Sequence, residues 1–238
     1  MKSNFYSKFL LIILSAASLL FSTLASAQFS GIGLEGGPGA RILFGNEALK
    51  QSQQQALGFA LGVNTEYRFT SRISLRSGIY FELKGGQTGI ITYYEPNDPI
   101  VIRRGQAQKI EFRSRDNYNF ITLPLLFKVK LGKEKHWYLN AGASLGYLMR
   151  VRDVTLIKHG ETRRNKPYNN YFSIEYAALF GVGYETRINQ KWKGHLEIRN
   201  HLGLNNLLDH PNIVGNGSLQ TNSCYLLVGM TYTLREPW

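Results

Sequence analysis

The histidines and glutamate of residues 195–201 are the sharpest candidates for chemistry in this sequence. His195, Glu197 and His201 share one face of an alternating segment. The stretch His201-Leu202-Gly203-Leu204-Asn205 begins like a His-x-Ser-Asn arrangement, in which a histidine activates a serine to attack an ester. Gly203 stands where that serine would be, so the attacking atom is missing. His195 and His201 lie roughly 20 Å apart at the ~3.3 Å rise of a strand, too far to share one metal ion. His136, His159 and His210 fall at a turn end and in two loops. The glycines of Gly31-Ile32-Gly33-Leu34-Glu35-Gly36-Gly37 suggest a phosphate loop, but no following helix supports it. Cys224 is the single cysteine, makes no intramolecular disulfide and is assigned no chemistry. No catalytic residue, cofactor or metal ligand is therefore assigned.

The elements that must carry these residues alternate with period two. Leu57, Phe59, Leu61, Val63, Tyr67 and Phe69 oppose Gly58, Ala60, Gly62, Asn64, Glu66 and Arg68, the pattern of a strand with one apolar face. The same pattern recurs over Ile73 to Lys84, Tyr118 to Leu131, His136 to Leu148, Ser173 to Arg187 and Trp192 to Leu204. Weaker versions run from Phe29 to Gly37 and from Cys224 to Leu234, which makes eight strands. Most exceed the ~5 to 6 residues usual in globular sheets and match the ~9 to 11 that cross a bilayer at a tilt. Three connections are tight (Thr70 to Arg72, Gly132 to Lys135, Ile188 to Lys191). Four are long (Gly39 to Ala56, Gly85 to Asn117, Met149 to Phe172, Asn205 to Ser223). The fold class expected is an all-β, eight-stranded antiparallel up-and-down transmembrane barrel, with short periplasmic turns and long extracellular loops.

A soluble lipocalin-like binding barrel would alternate in the same way with its faces reversed. Glycines crowd the polar faces, at Gly58, Gly62, Gly78, Gly142, Gly146, Gly181 and Gly183, where they relieve a narrow interior. Tyr67, Phe69, Trp137, Tyr184, Trp192 and Tyr232 sit beside the short turns as an interfacial girdle would, with Tyr118, Tyr147, Tyr176 and Phe172 as its outer counterpart. Both features favour the membrane sense. The polar faces then form a lumen charge network of Glu35, Glu66, Arg68, Arg76, Glu82, Lys84, Lys128, Glu175, Glu185, Arg187, Glu197 and Arg199. An eight-stranded barrel has room inside for little but its own side chains, which disfavours a water-filled pore. Pro124 sits mid-strand, where its missing N–H predicts a bulge.

Residues 1–27 read as a cleaved signal peptide: Lys2 and Lys8, an apolar run from Phe9 to Phe21, and Ala25 and Ala27 as an A-x-A site. The barrel domain is then residues 28–238. The formal charge of +12 becomes +10 without Lys2 and Lys8, which suits an anionic partner. Arg150, Arg152, Lys158, Arg163, Arg164 and Lys166 concentrate that charge in one long loop, a candidate contact for lipopolysaccharide phosphates or an acidic protein. Nucleic acid is not expected for an exported chain without a nucleic-acid motif.

Tyr118-Asn119-Phe120-Ile121-Thr122-Leu123-Pro124-Leu125-Leu126-Phe127-Lys128 resembles a strand of the PorT-type outer-membrane β-barrels of the Bacteroidetes, relatives of the OmpA- and OmpX-like eight-stranded barrels. Trp137-Tyr138-Leu139-Asn140-Ala141-Gly142, Gly181-Val182-Gly183-Tyr184 and the closing Gly229, Tyr232 and Leu234 fit the same family. The resemblance implies residence in the outer membrane, insertion by barrel-insertion machinery and secretion-system proteins of type IX export as further partners. Fold resemblance does not itself transfer that role. The expected function is non-enzymatic, exercised through the loops or within an envelope assembly. A lipid A deacylase is the alternative from another class.

Overall fold

The computed structural model describes residues 28–45, 53–95, 108–157, 162–164, 171–208 and 218–234. The expected signal peptide lies outside them, as do Lys158, Lys166 and residues 235–238. The described strands are β1 (Gln28–Gly45), β2 (Gln53–Gln54), β3 (Ala56–Arg68), β4 (Ile73–Thr88), β5 (Ile91–Glu95), β6 (Gln108–Leu131), β7 (Trp137–Ile157), β8 (Thr162–Arg164), β9 (Ile174–Arg187), β10 (Trp192–Gly203) and β11 (Leu219–Thr233). Eight of them are staves. β1 pairs with β3, then the pairing runs β3–β4, β4–β6, β6–β7, β7–β9, β9–β10 and β10–β11, and β11 returns to β1, all antiparallel. Closure satisfies every stave on both sides, which an open sheet in a bilayer cannot do.

The tight turns follow from their residues. Thr70 Oγ1 accepts from the N–H groups of Arg72 and Ile73 at 3.2 and 3.0 Å, and Asn189 Oδ1 accepts from Lys191 and Trp192 at 2.9 and 2.8 Å. Each side chain thus replaces a backbone acceptor in the reversal. At the third turn Gly132 takes a left-handed φ of 74° and Lys135 one of 58°. A side chain in that region costs roughly 1–2 kcal/mol, so packing must hold Lys135 there.

The two faces of each stave separate as the alternation predicts. On β3 the even residues Ala56 to Glu66 point inward and Leu57, Phe59, Leu61 and Val63 point out. The outward row continues around the ring through Ile79, Leu125, Leu139, Phe180, Leu196 and Val228. Trp137 meets Tyr184 edge-on at 5.3 Å, and Trp192 meets Tyr232 at 5.2 Å, at the turn end. Tyr147, Tyr176 and Phe172 are exposed toward the loop end. From Trp137 to Tyr147 the strand runs about 33 Å at ~3.3 Å per residue, or about 25 Å in height at a ~40° tilt, the usual height of a barrel's apolar band. The membrane sense holds, and the lipocalin sense is excluded by which face is apolar.

Three expectations are corrected. The staves run past the expected loop boundaries, with β1 reaching Gly45, β4 reaching Thr88, β6 starting at Gln108, β7 reaching Ile157 and β11 starting at Leu219. Beyond the apolar band an outward residue need not be apolar, so the alternation fades while pairing continues. Tyr118 belongs to the lumen, not to the outer girdle, because it shares the inward parity of Phe120 on β6. Pro124 makes no bulge. It pairs with Ser144 in register, and the β4 ladder skips Gly78 and Ile79 without shifting, while Ser77 Oγ donates to Pro124 O at 2.9 Å.

Candidate functional site

The interior of the barrel is stacked in layers of side chains. Nearest the turns, Lys128 Nζ reaches Glu66 at 3.0 Å and Glu185 at 2.5 Å, and Lys130 and Lys193 approach Glu185 at 2.7 and 3.7 Å. The middle layer is built around two carboxylates. Glu35 accepts from Arg76, from Tyr80 Oη at 2.6 Å, from His195 Nε2 at 2.6 Å and from Arg199 Nη2 at 2.8 Å. Glu197 accepts from Arg76 Nη1 and Tyr138 Oη, both at 2.9 Å, and from Arg199 Nε at 2.5 Å. Above it, Lys84 pairs with Glu175 and lies 3.2 Å from Glu82, which also faces His201 Nδ1 at 3.2 Å. Thr221 donates to Glu175.

Toward the loop end the chemistry changes. Arg41 lashes β1 to three other staves, donating to Leu57 O at 2.9 Å, to Lys84 O, to Asp116 O at 2.8 Å and to Asn117 Oδ1 at 2.5 Å. Over it sits an apolar plug of Leu43, Tyr118, Phe120, Val151, Leu207 and Leu219. Lys84 joins the two regions, with its ammonium 5.1 Å from the Phe120 ring centre. A hydrated ion meets paired charges in the middle of the lumen and an apolar plug toward its loop end.

Ten of the twelve residues expected in the lumen network are buried there: Glu35, Glu66, Arg76, Glu82, Lys84, Lys128, Glu175, Glu185, Glu197 and Arg199. Arg68 and Arg187 are not. Each ends its strand, so its side chain leaves the packed interior, half-buried for Arg68 and exposed for Arg187, and both line the mouth. The alternation sets Tyr80 and Tyr138 on the polar faces, but the expected network, made of charged residues alone, left out its aromatic spacers. Tyr80 and Tyr138 are fully buried ligands of Glu35 and Glu197, and Tyr225 is buried edge-on against His201. Glycine positions held the signal for these rings. A Cβ on Gly62 would stand 2.3 Å from Tyr80, and one on Gly183 would stand 2.3 Å from Tyr138. Gly183→Ala is therefore expected to lower stability by about 1–3 kcal/mol as an overpacked site. Urea unfolding of the refolded barrel reads this, and combining it with Tyr138→Leu should be less damaging than the two losses added.

The acyl-hydrolase arrangement does not form at His201. That side chain is 1 % exposed and points to Glu82 inside the barrel, and Gly203 faces Thr221 and Glu175. His195 and His201 serve different carboxylates, as their separation predicts.

The basic group expected in one loop is partly strand. Arg150 and Arg152 belong to β7 and Arg163 and Arg164 to β8; Lys158 and Lys166 lie outside the described residues. One irregularity decides where the first two point. Asn119 pairs with Arg150 but Phe120 pairs with Leu148, so Met149 is an extra residue on β7. The bulge flips the parity, turning Val151 into the plug and leaving Arg150 and Arg152 exposed beside Tyr147 and Met149. Without it both arginines would enter the apolar plug.

Residues 25–209 match the family model described as outer membrane protein beta-barrel domain. Among solved structures the chain is similar to Neisserial surface protein A (11 % identity, 85 % of this chain and 97 % of that one, TM-score 0.40). It is also similar to the outer membrane protein OprG from Pseudomonas aeruginosa (10 %, 88 % and 98 %, TM-score 0.40). A third is the attachment invasion locus protein Ail of Yersinia pestis (10 %, 87 % and 100 %, TM-score 0.35). No curated protein matches the chain significantly by sequence.

Proposed function

From the premise that this chain belongs to the outer membrane protein β-barrel domain family and resides in the outer membrane, we propose that it works without catalysis. In this reading its outer face engages lipopolysaccharide through phosphate groups. The observation that carries it is the bulge at Met149, which sets Arg150 and Arg152 outward just above Tyr147, where the apolar band gives way to headgroups. Arginine pairs with phosphate through two parallel N–H groups, and each basic residue near an anionic surface contributes about 1 kcal/mol. The filled and plugged lumen supports the same reading, since it leaves the outside of the barrel as its working surface.

Charge reversal tests this. Arg150→Glu with Arg152→Glu, both at exposed sites, should leave the heat-modifiable barrel intact and reduce co-purifying lipopolysaccharide by about tenfold. Unchanged lipopolysaccharide in that variant overturns the reading. Loss of exported cargo in a deletion strain, restored in full by the Arg150→Glu/Arg152→Glu variant, would move the role to the type IX secretion that the PorT resemblance implies. An altered lipid A acylation profile would instead point to the enzyme.

A further inference from the structure

The mouth at the turn end, which faces the periplasm in this family's orientation, holds a cavity of about 670 Å³. That is within the range of small-molecule sites, ~300–1,000 Å³. Behind it stand the Lys128 layer and then the Arg76–Glu35–Glu197–Arg199 layer. Five of its walls are cationic, Arg68, Lys130, Lys135, Arg187 and Lys193, against two carboxylates, Glu134 and Glu185.

The pairing inside the mouth is lopsided. Lys128 has both Glu66 and Glu185, but Lys130 and Lys193 have only Glu185 among the described residues, and Lys193 stays at 3.7 Å from it, beyond hydrogen-bonding distance. Arg68 and Arg187 make no ion pair among the described residues. Burial makes such an excess costly unless something offsets it, because Lys193 is only 8 % exposed and Lys130 is half-buried.

The backbone adds an independent sign. The turn after β6 borders the mouth, and His136 at its end is tied to Glu185 by two bonds: the Glu185 N–H donates to His136 O at 2.8 Å, and His136 Nδ1 donates to the Glu185 carbonyl at 2.9 Å. His136 also stacks on Tyr184. In that turn Lys135 keeps a left-handed φ of 58°, where glycine would be relaxed, and it lines the cavity. Backbone strain of this kind clusters at binding sites.

We infer that this vestibule is a binding site for compact polyanions, ligands carrying two or more phosphate or carboxylate groups. Lys193 and Lys130 reach the ligand from the barrel wall, Arg68 and Arg187 from the strand ends, and Lys135 from the folded turn. Glu185 holds the lysines apart.

The test is calorimetric titration of the refolded, full barrel in zwitterionic detergent, with pyrophosphate as the phosphate probe and citrate as the carboxylate probe. Saturable binding of either is expected, and the preferred probe names the source of the natural ligand. Arg187→Gln with Lys193→Gln should weaken it by about tenfold or more, while Arg113→Gln, toward the loop end of β6, should leave it unchanged. Lys135→Gly keeps the proposal falsifiable where folding is in question. It should weaken binding while leaving the unfolding midpoint unchanged or raised. No heat from either probe at millimolar concentration, or equal affinity in the Arg187/Lys193 or Lys135 variants, overturns the inference.

Discussion

Glu35→Gln is expected to destabilise the barrel by about 3–5 kcal/mol, the range for breaking a buried ionic cluster by removing one partner. The substitution changes almost no volume, so no cavity contributes. What it removes is a charge on which Arg76, Arg199, His195 and Tyr80 all converge. Glutamine offers one acceptor oxygen and turns two hydrogens toward groups that are already donors. Glu197 remains, but it is already engaged by both guanidiniums and by Tyr138, so it cannot absorb what Glu35 releases. Urea unfolding of the refolded protein in detergent micelles measures the loss. Glu134→Gln is the control: its side chain is 85 % exposed and among the described residues its ion-pair partner is His136 at 3.8 Å, so it should change stability by less than about 1 kcal/mol. If Glu35→Gln unfolds within about 1 kcal/mol of the parent, the network fills space without holding the barrel together.

The ring of staves was legible because a narrow barrel in lipid imposes one rule on every strand. Leu61, Leu125 and Phe180 must be apolar, and Glu66, Arg76 and Glu197 must not face lipid. The charge network followed from the same rule, since inward parity and a carboxylate or ammonium sufficed to place ten residues. Polarity fails wherever it stops tracking direction. Tyr118 and Phe120 are apolar yet inward, because the loop end of the lumen is plugged by packing and not by charge. Arg68 and Arg187 are charged and have the inward parity, yet they end their strands. Arg150 and Arg152 illustrate a third failure, because their direction depends on one inserted residue, Met149, that no alternation pattern over the flanking segments discloses. The vestibule escaped for a related reason. Its walls come from five strand ends and turns, and only closure of the ring brings Arg68, Lys130, Arg187 and Lys193 around one space.

An arginine placed on the outer surface should reveal the same geometry as a function of depth. Leu125 is 50 % exposed and opposite Ala143, about midway between the Trp137–Tyr184 girdle and Tyr147. Leu131, 41 % exposed on the same strand and face, lies at the turn end opposite Trp137. On a water-soluble surface, Arg at either site would be tolerated alike, since a solvated guanidinium has the same environment at both. In a bilayer the two differ. Leu125→Arg should cost about 2–4 kcal/mol when the barrel is unfolded from lipid vesicles, and Leu131→Arg about 0–1 kcal/mol, because the latter side chain reaches headgroups and water. The difference should shrink in detergent micelles, whose looser interior lets a charge reach water from mid-band. Equal, small effects at both positions in vesicles would mean that the apolar row from Leu125 to Leu131 does not face hydrocarbon, and the transmembrane placement of β6 would fall with it.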